Sequence, residues 1–292
     1  MSLFLTKLKN KLKIVIPDSL YIRYEYFKLH RRFYSKQHIN SVSDRIFSWK
    51  LSNELAEFSI FVDKYKVRAF VTQQCGDGYL PELHKVCRVA EEFDLAKMPH
   101  KFVLKLNNGS GYNLVIHNKD EHNTADIRHI ITQWLESDFY AISKEKQYKN
   151  VEQLVLCEEY IESIKALKDY KFYCIDGSIE FIQVISHNAH NQKVHNYYSQ
   201  FWQPLAIQRD GYDTGKFEPK PAKLDEAIAL VEALSQPFSF VRVDLYLQDK
   251  IYFGELTFTP GNGYIKYLPE IFDYSLAKKM RLKIKKTTLS ST

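Results

Sequence analysis

The chain has 292 residues, 45% of them hydrophobic and 26% charged, with 20 Tyr and 19 Phe. That is enough to bury a large core in one or two domains, and it excludes an intrinsically disordered chain. The net charge of +6 is uneven: residues 1–36 carry +7 and 278–292 carry +6, so the 37–277 body carries −7.

Basic ends suit an anionic membrane surface. The acidic body and the lack of any recognition motif argue against nucleic acid. No apolar run approaches the roughly 20 residues that span a bilayer. Lysines interrupt the apolar N-terminus and no small-residue cleavage site follows, so no secretory leader is expected. Cys75, Cys87, Cys157 and Cys174 form no C-x-x-C pair, which argues against zinc and suits a reduced, cytoplasmic setting, peripheral on the inner face of the membrane if the basic ends touch it.

In chain order, Leu5, Leu8, Leu12, Val15 and Ile16 fall on one helical face, with Lys9, Asn10 and Lys13 opposite, until Pro17 ends the pattern. Such a basic amphipathic helix either lies at a membrane surface or packs on its own domain. Residues 44–71 read as mainly helical, and Gly76, Gly78 and Pro81 mark a break. Leu83, Val86, Cys87 and Ala90 predict a short helix. Residues 101–106 and 113–117 read as strands around the loop Asn107-Asn108-Gly109-Ser110-Gly111. Ile127, Ile130, Ile131, Trp134 and Leu135 predict a helix, and 154–157 a short strand. Asp176-Gly177 joins two strands, 170–175 and 179–185, as a hairpin. Residues 187–220 show little periodicity and predict a long loop region. Leu224, Ala227, Ile228, Val231 and Leu234 form a helical stripe.

The run 241–263 is the most informative. Val241, Val243, Leu245 and Leu247 alternate with Arg242, Asp244 and Tyr246, and a second strand runs from Ile251 to Leu256. Strands joined so tightly lie antiparallel. With a two-residue turn at Gln248-Asp249, Arg242 stands opposite Glu255; shifted by one residue, Asp244 does. Either register gathers both carboxylates and the arginine on one face, whereas a three-residue loop breaks the parity. The group reads either as a surface salt bridge or as a site for a hard cation such as Mg²⁺, held by carboxylates and nucleotide phosphates. The Gly109–Gly111 loop, just after Lys105, lets backbone N–H groups approach phosphate closely; it lacks the Walker A spacing and, alone, also reads as an ordinary hairpin turn.

Taken together these segments resemble the ATP-grasp superfamily, and more closely the TupA-like ATP-grasp family, named for teichuronopeptide biosynthesis. The matching pieces are Asp63-Lys64 to Arg68, Phe102-Val103-x-Lys105-x-Asn107-x-Gly109-Ser110-Gly111, Glu158-Glu159-Tyr160-Ile161, Asp169-Tyr170-Lys171-Phe172-Tyr173-Cys174, Phe240 to Tyr246, and Phe253-Gly254-Glu255-Leu256-Thr257-Phe258-Thr259-Pro260. The resemblance spans roughly residues 50–275 and implies an α+β ATP-grasp fold, in which two α+β subdomains clasp ATP behind an N-terminal helical segment. The expected division is a basic segment 1–43, a helical substrate subdomain 44–100, a glycine-loop subdomain 101–161, a metal-site subdomain 162–277 and a basic tail 278–292.

The resemblance also implies roles. Lys105 would meet the phosphates under the Gly109-Ser110-Gly111 loop. Glu158, Glu159, Tyr160 and Ile161 would form the hinge beside adenine, and Asp169 would reach the ribose. Asp244 and Glu255 would hold Mg²⁺, with Thr257 standing where many ATP-grasp enzymes place Asn. Arg242 and Lys171 would act on the transferring phosphoryl group. Lys66, Arg68 and Asn262 are candidates for substrate contact. The reaction implied is ligation of an amino acid or amine to a uronic acid of a surface polysaccharide through an acyl phosphate. A glycan phosphotransferase and a non-catalytic scaffold of polysaccharide assembly are the competing readings.

Overall fold

The computed structural model describes residues 16–162, 167–188 and 190–285. The basic helix expected over residues 4–16 lies outside them except for Ile16, as does the tail from 286. The chain runs through α1 (Asp18–His30), α2 (Val42–Leu51), a 3₁₀ turn (Glu54–Phe58), α3 (Ser59–Val62) and α4 (Val67–Cys75). Then come β1 (Leu83–Cys87), β2 (Phe102–Leu106), β3 (Asn113–Ile116), α5 (Thr124–Leu135), α6 (Phe139–Ser143) and β4 (Val155–Glu159). The second half holds β5 (Asp169–Ile175), β6 (Ser178–His187), β7 (Lys193–Tyr198), β8 (Gln208–Arg209), α7 (Leu224–Ser235), β9 (Phe240–Leu247), β10 (Ile251–Thr257), β11 (Tyr267–Leu268) and α8 (Glu270–Lys279). Among the described residues no helix is long and apolar enough to cross a membrane.

Two antiparallel sheets organise the molecule. The smaller has the order β1-β4-β2-β3, the larger β10-β9-β5-β6-β7, and β8 pairs with β11 at one side. Ile127 and Ile131 of α5 close the smaller core with Phe102, Leu104, Val155 and Cys157. Asn123 caps that helix, its side chain accepting from the Asp126 N–H. The larger core joins α7, through Leu224, Ala227, Leu230, Val231 and Leu234, to the second sheet, and takes in Val42, Ile46, Trp49, Phe58, Phe61 and Phe70 from the first helices. A capping box starts α2: Ser41 accepts from the Asp44 N–H, and the Asp44 carboxylate accepts from the Ser41 N–H.

Two local expectations are corrected. Residues 83–87 form an edge strand paired with β4, not a helix; the i, i+3, i+4, i+7 spacing of its apolar residues imitated a helical stripe, while pairing to the neighbouring strand decided the conformation. The 187–220 region is not all loop, because Lys193–Tyr198 adds β7 to the larger sheet. Its polar residues hid it: His195 and Asn196 are buried there, with His195 bonded to Gln183 and stacked on Tyr212.

The 240–257 hairpin has the three-residue loop Gln248-Asp249-Lys250, since Leu247 pairs with Ile251. That loop alone would put Asp244 and Glu255 on opposite faces. A β-bulge between Phe253 and Glu255 adds one residue and restores the parity, so that Asp244 pairs directly with Glu255 and Arg242 with Thr257.

Candidate active site

The larger sheet presents two adjacent rows of polar side chains. Lys171, Asp244 and Glu255 stand side by side across β5, β9 and β10; Tyr173, Arg242 and Thr257 form the next row. Arg242 grips Asp244 in a two-pronged contact, Nε to Oδ1 and Nη2 to Oδ2, each 2.6 Å. The same Nη2 reaches Glu255 Oε1 at 3.2 Å and Thr257 Oγ1 at 2.9 Å. The Thr257 hydroxyl donates to Glu255 Oε1 at 3.0 Å. Lys171 Nζ lies 2.5 Å from Asp244 Oδ2 and 2.6 Å from Asp169 Oδ2.

The charges in this cluster hold one another ionised. Burial opposes the charge on Glu255, but Lys64, Arg242 and Lys171 outweigh it and bring the carboxyl down to about 2. Burial likewise opposes the charges of Lys171 and Arg242, yet Asp244 holds both above their ordinary values. Asp169 is pushed up, by burial first and by the nearby Asp244 second.

Across from the rows lies the Gly109 loop. Asp63 sets its neighbour: its Oδ1 accepts from the N–H of Tyr65 and of Lys66, folding a turn that aims Lys64 into the cleft. Lys64 Nζ donates to the Gly109 carbonyl at 2.9 Å and stands 3.6 Å from Glu255 Oε2. Lys64 therefore ties the glycine loop to the carboxylate row. Gly109 has φ of +79°, and a Cβ there would meet the Phe139 ring at 2.5 Å, so only glycine suits the position.

Between the two sheets is a cavity of about 410 Å³ bordered by the Gly109–Gly111 loop and Tyr246. Five cationic side chains line it, Lys64, Lys105, Lys171, Lys193 and Arg242, against three carboxylates, Asp169, Asp244 and Glu255. The excess of positive charge on a polar wall suits a polyanion such as a nucleotide polyphosphate.

The structure brings Lys105, Gly109, Ser110, Gly111, Asp169, Lys171, Arg242, Asp244 and Glu255 to this one cavity, and Thr257 sits behind Glu255. Others of the expected residues do not border it. Glu158 is buried against Lys105 at 2.9 Å and Arg68 at 3.3 Å. Glu159 accepts from Tyr252 at 2.8 Å, and Tyr160 packs on His117; half-buried Ile161 follows β4. Arg68 also donates to the Pro81 carbonyl at 2.8 Å, and Lys66 points to solvent. Asn262 accepts from buried Lys50 at 2.5 Å and donates to the Ser143 carbonyl. Sequence reasoning missed Lys64 and Lys193 as cleft residues. Lys64 was within the motif, but only the Asp63 turn shows that it, and not Lys66, faces inward.

The donor set suits a hard divalent cation: two carboxylates, one of them strongly ionised, with a hydroxyl beside them. Among the described residues no group of three or more His, Cys, Asp or Glu gathers as a self-sufficient metal cage. Such a pair of ligands matches a cation that takes its remaining oxygens from phosphates and water.

Two antiparallel α+β lobes clasping a cation-rich cleft, with a glycine loop on one side and a carboxylate row on the other, are the ATP-grasp arrangement. The chain belongs to the TupA-like ATP-grasp family, whose model matches residues 44–281. No curated protein matches it in sequence. Among solved structures it is similar to D-alanine–D-alanine ligase from Bacillus anthracis complexed with ATP, at 19% identity over 69% of this chain and 56% of that one, TM-score 0.43. It is similar also to D-alanyl-alanine synthetase A from Vibrio cholerae, at 12% identity over 76% and 61%, TM-score 0.42. A third is the ATP-grasp ligase PsnB with a phosphomimetic precursor variant, Mg and ADP, at 13% identity over 69% and 51%, TM-score 0.40. The chain spans little more than half the length of these structures.

Proposed function

We propose that the protein is an ATP- and Mg²⁺-dependent carboxylate–amine ligase. It joins an amino acid or amine to a uronic acid of a capsular or other surface polysaccharide, in the cytoplasm. The observation that carries this reading is the single cleft in which the glycine loop and Lys105 face Arg242, Lys171, Asp244 and Glu255, together with membership of the TupA-like family.

A carboxylate is a poor electrophile, and phosphorylation by ATP makes it an acyl phosphate that an amine attacks, releasing phosphate. The backbone N–H groups of Gly109–Gly111 and the Lys105 ammonium bind and orient phosphate oxygens in this reading. Arg242, anchored on Asp244, presents a fixed positive charge where negative charge develops, at no cost of reorganisation. Lys171, held between Asp169 and Asp244, adds a second. Asp244 and Glu255 would hold Mg²⁺, which would supply neutralising charge to the phosphates. Thr257 orients the Glu255 carboxylate through its hydroxyl.

The test is calorimetry of ATP binding with and without Mg²⁺, on the wild type and on Asp244→Asn/Glu255→Gln. Mg²⁺-dependent binding that the double variant loses supports the site, and ADP release with an amide product from a uronic acid and an amine supports the reaction. A stable phosphorylated glycan without amide would make the protein a phosphotransferase. A folded wild type that binds no nucleotide would leave a non-catalytic scaffold of polysaccharide assembly.

A further inference from the structure

A second cavity, of about 530 Å³, lies away from the cleft, between α2 and the segment that follows α8. None of its lining residues borders the cleft. Four cations line it: Lys36, Arg45, Arg281 and Lys283. They come from the two ends of the described chain, and the fold gathers them in one place.

Among the described residues none of the four has a carboxylate within 4.0 Å, although most cations of the cleft do. Among the described residues Glu54 is the one acid on the wall; it is exposed and ion-paired to none of them. Backbone carbonyls fix the two guanidinium groups instead. Arg45 Nε donates to the Ala277 carbonyl at 3.2 Å, and among the described residues its two terminal nitrogens have no hydrogen-bond partner. Arg281 Nη1 donates to the Met280 carbonyl at 2.9 Å and to that of Lys278. Burial, and then the charge of Arg281, pulls Arg45 below its ordinary value, so the two like charges feel each other. The Asp44 carboxylate, held by Arg32, offsets only part of this; like charges held together raise the free energy of the empty site, and a bound anion relieves it. A guanidinium fork matches tetrahedral phosphate oxygens in a two-pronged contact.

We propose that this cavity is a phosphate-binding site separate from the catalytic cleft, with Arg45 and Arg281 as its forked donors and Lys36 and Lys283 at its rim. The phosphate is carried either by the head group of an anionic lipid or by a soluble phosphorylated molecule. Arg45 and Arg281 lie within the region matched by the family model, residues 44–281, and Lys36 and Lys283 outside it.

The experiment uses the full chain with the cleft saturated by ADP and Mg²⁺. Inorganic phosphate is titrated while the fluorescence of Trp49, which lines the cavity, is followed in a Trp134→Phe/Trp202→Phe background. The expected result is a saturable change that Arg45→Gln and Arg281→Gln each weaken by about tenfold, and that Lys278→Gln, the same charge loss outside the cavity, leaves intact. Arg281 is exposed, so its variant folds even if that at Arg45 does not. No saturable change, or equal loss in Lys278→Gln and Arg281→Gln, overturns the proposal. Co-sedimentation with vesicles containing about one-third phosphatidic acid, at about 0.15 M salt, separates the sources. Binding that Arg281→Gln abolishes assigns the phosphate to a head group; phosphate saturation without vesicle binding assigns it to a soluble ligand.

Discussion

A Cβ on Gly254 would stand 3.0 Å from the carbonyl oxygen of Asp244. The bulge that realigns the hairpin is therefore packed against the backbone of the residue it serves. Gly254→Val is expected to cost about 1–3 kcal/mol and to weaken Mg²⁺-dependent ATP binding, because relaxing the bulge turns Glu255 away from Arg242. Urea unfolding and calorimetry on one sample check both.

Arg242 neutralises two carboxylates at once. Its replacement by Met leaves Asp244 facing Glu255 with Lys171 as the nearest counter-charge. The expected loss of stability is about 3–5 kcal/mol. Arg242→Lys recovers part of that loss but not the two-pronged contact, and nucleotide turnover stays low. Chemical denaturation and ADP release distinguish the two variants.

Lys64 touches both the glycine loop and Glu255, and its contacts lie at the cleft and not in the core. Lys64→Ala is expected to lower global stability by about 1 kcal/mol while weakening ATP about tenfold, or about 1.4 kcal/mol. Lys66→Ala, two residues on and facing solvent, leaves ATP affinity unchanged. Calorimetry on the pair decides it.

How much of this was legible in the sequence depends on whether the decisive contact was local. The 240–257 hairpin was readable because apolar and polar residues alternate, and the helix over 224–235 because its stripe has one period. The hairpin's register was not readable: a three-residue loop and a compensating bulge give the same parity as a simple turn, and the bulge is fixed by the path of the partner strand. The edge strand at 83–87 carried a helix-like spacing that only its pairing with β4 overrides. The polar strand at 193–198 is held by buried hydrogen bonds, such as that between Gln183 and His195, which no hydropathy pattern records. Most charged residues of the cleft are legible because they belong to motifs. Lys64 lies in a motif, but its direction is set by the Asp63 turn, and Lys193 reaches the cavity from the strand read as loop.

Glu145 is buried and is pushed up to about 7, by burial first, against the hydrogen bond from Thr259 and the charge of Lys50. A carboxyl raised in the folded state stabilises it below the unfolded value of about 4.5, and that stability is lost as pH rises through 7. Glu145→Gln carries no charge. Measured against wild type by urea unfolding, it is expected to gain relative stability between pH 5 and 8, by on the order of 2–3 kcal/mol. Equal differences at both pH values would show that Glu145 does not titrate in this range.

Asn107 gives the glycine loop a fixed pivot. Its side chain accepts from the Leu154 N–H and donates to the Glu152 carbonyl, while its own N–H and carbonyl bond to Leu154 and Lys64. One buried amide thus clamps three stretches of chain at the root of the loop. Movement of the loop about its root is held back by that clamp. In amide hydrogen exchange the N–H groups of Asn107 and Leu154 are expected to be the slow ones and that of Ser110 the fast one, so that any motion of the loop is confined to the few residues beyond this asparagine.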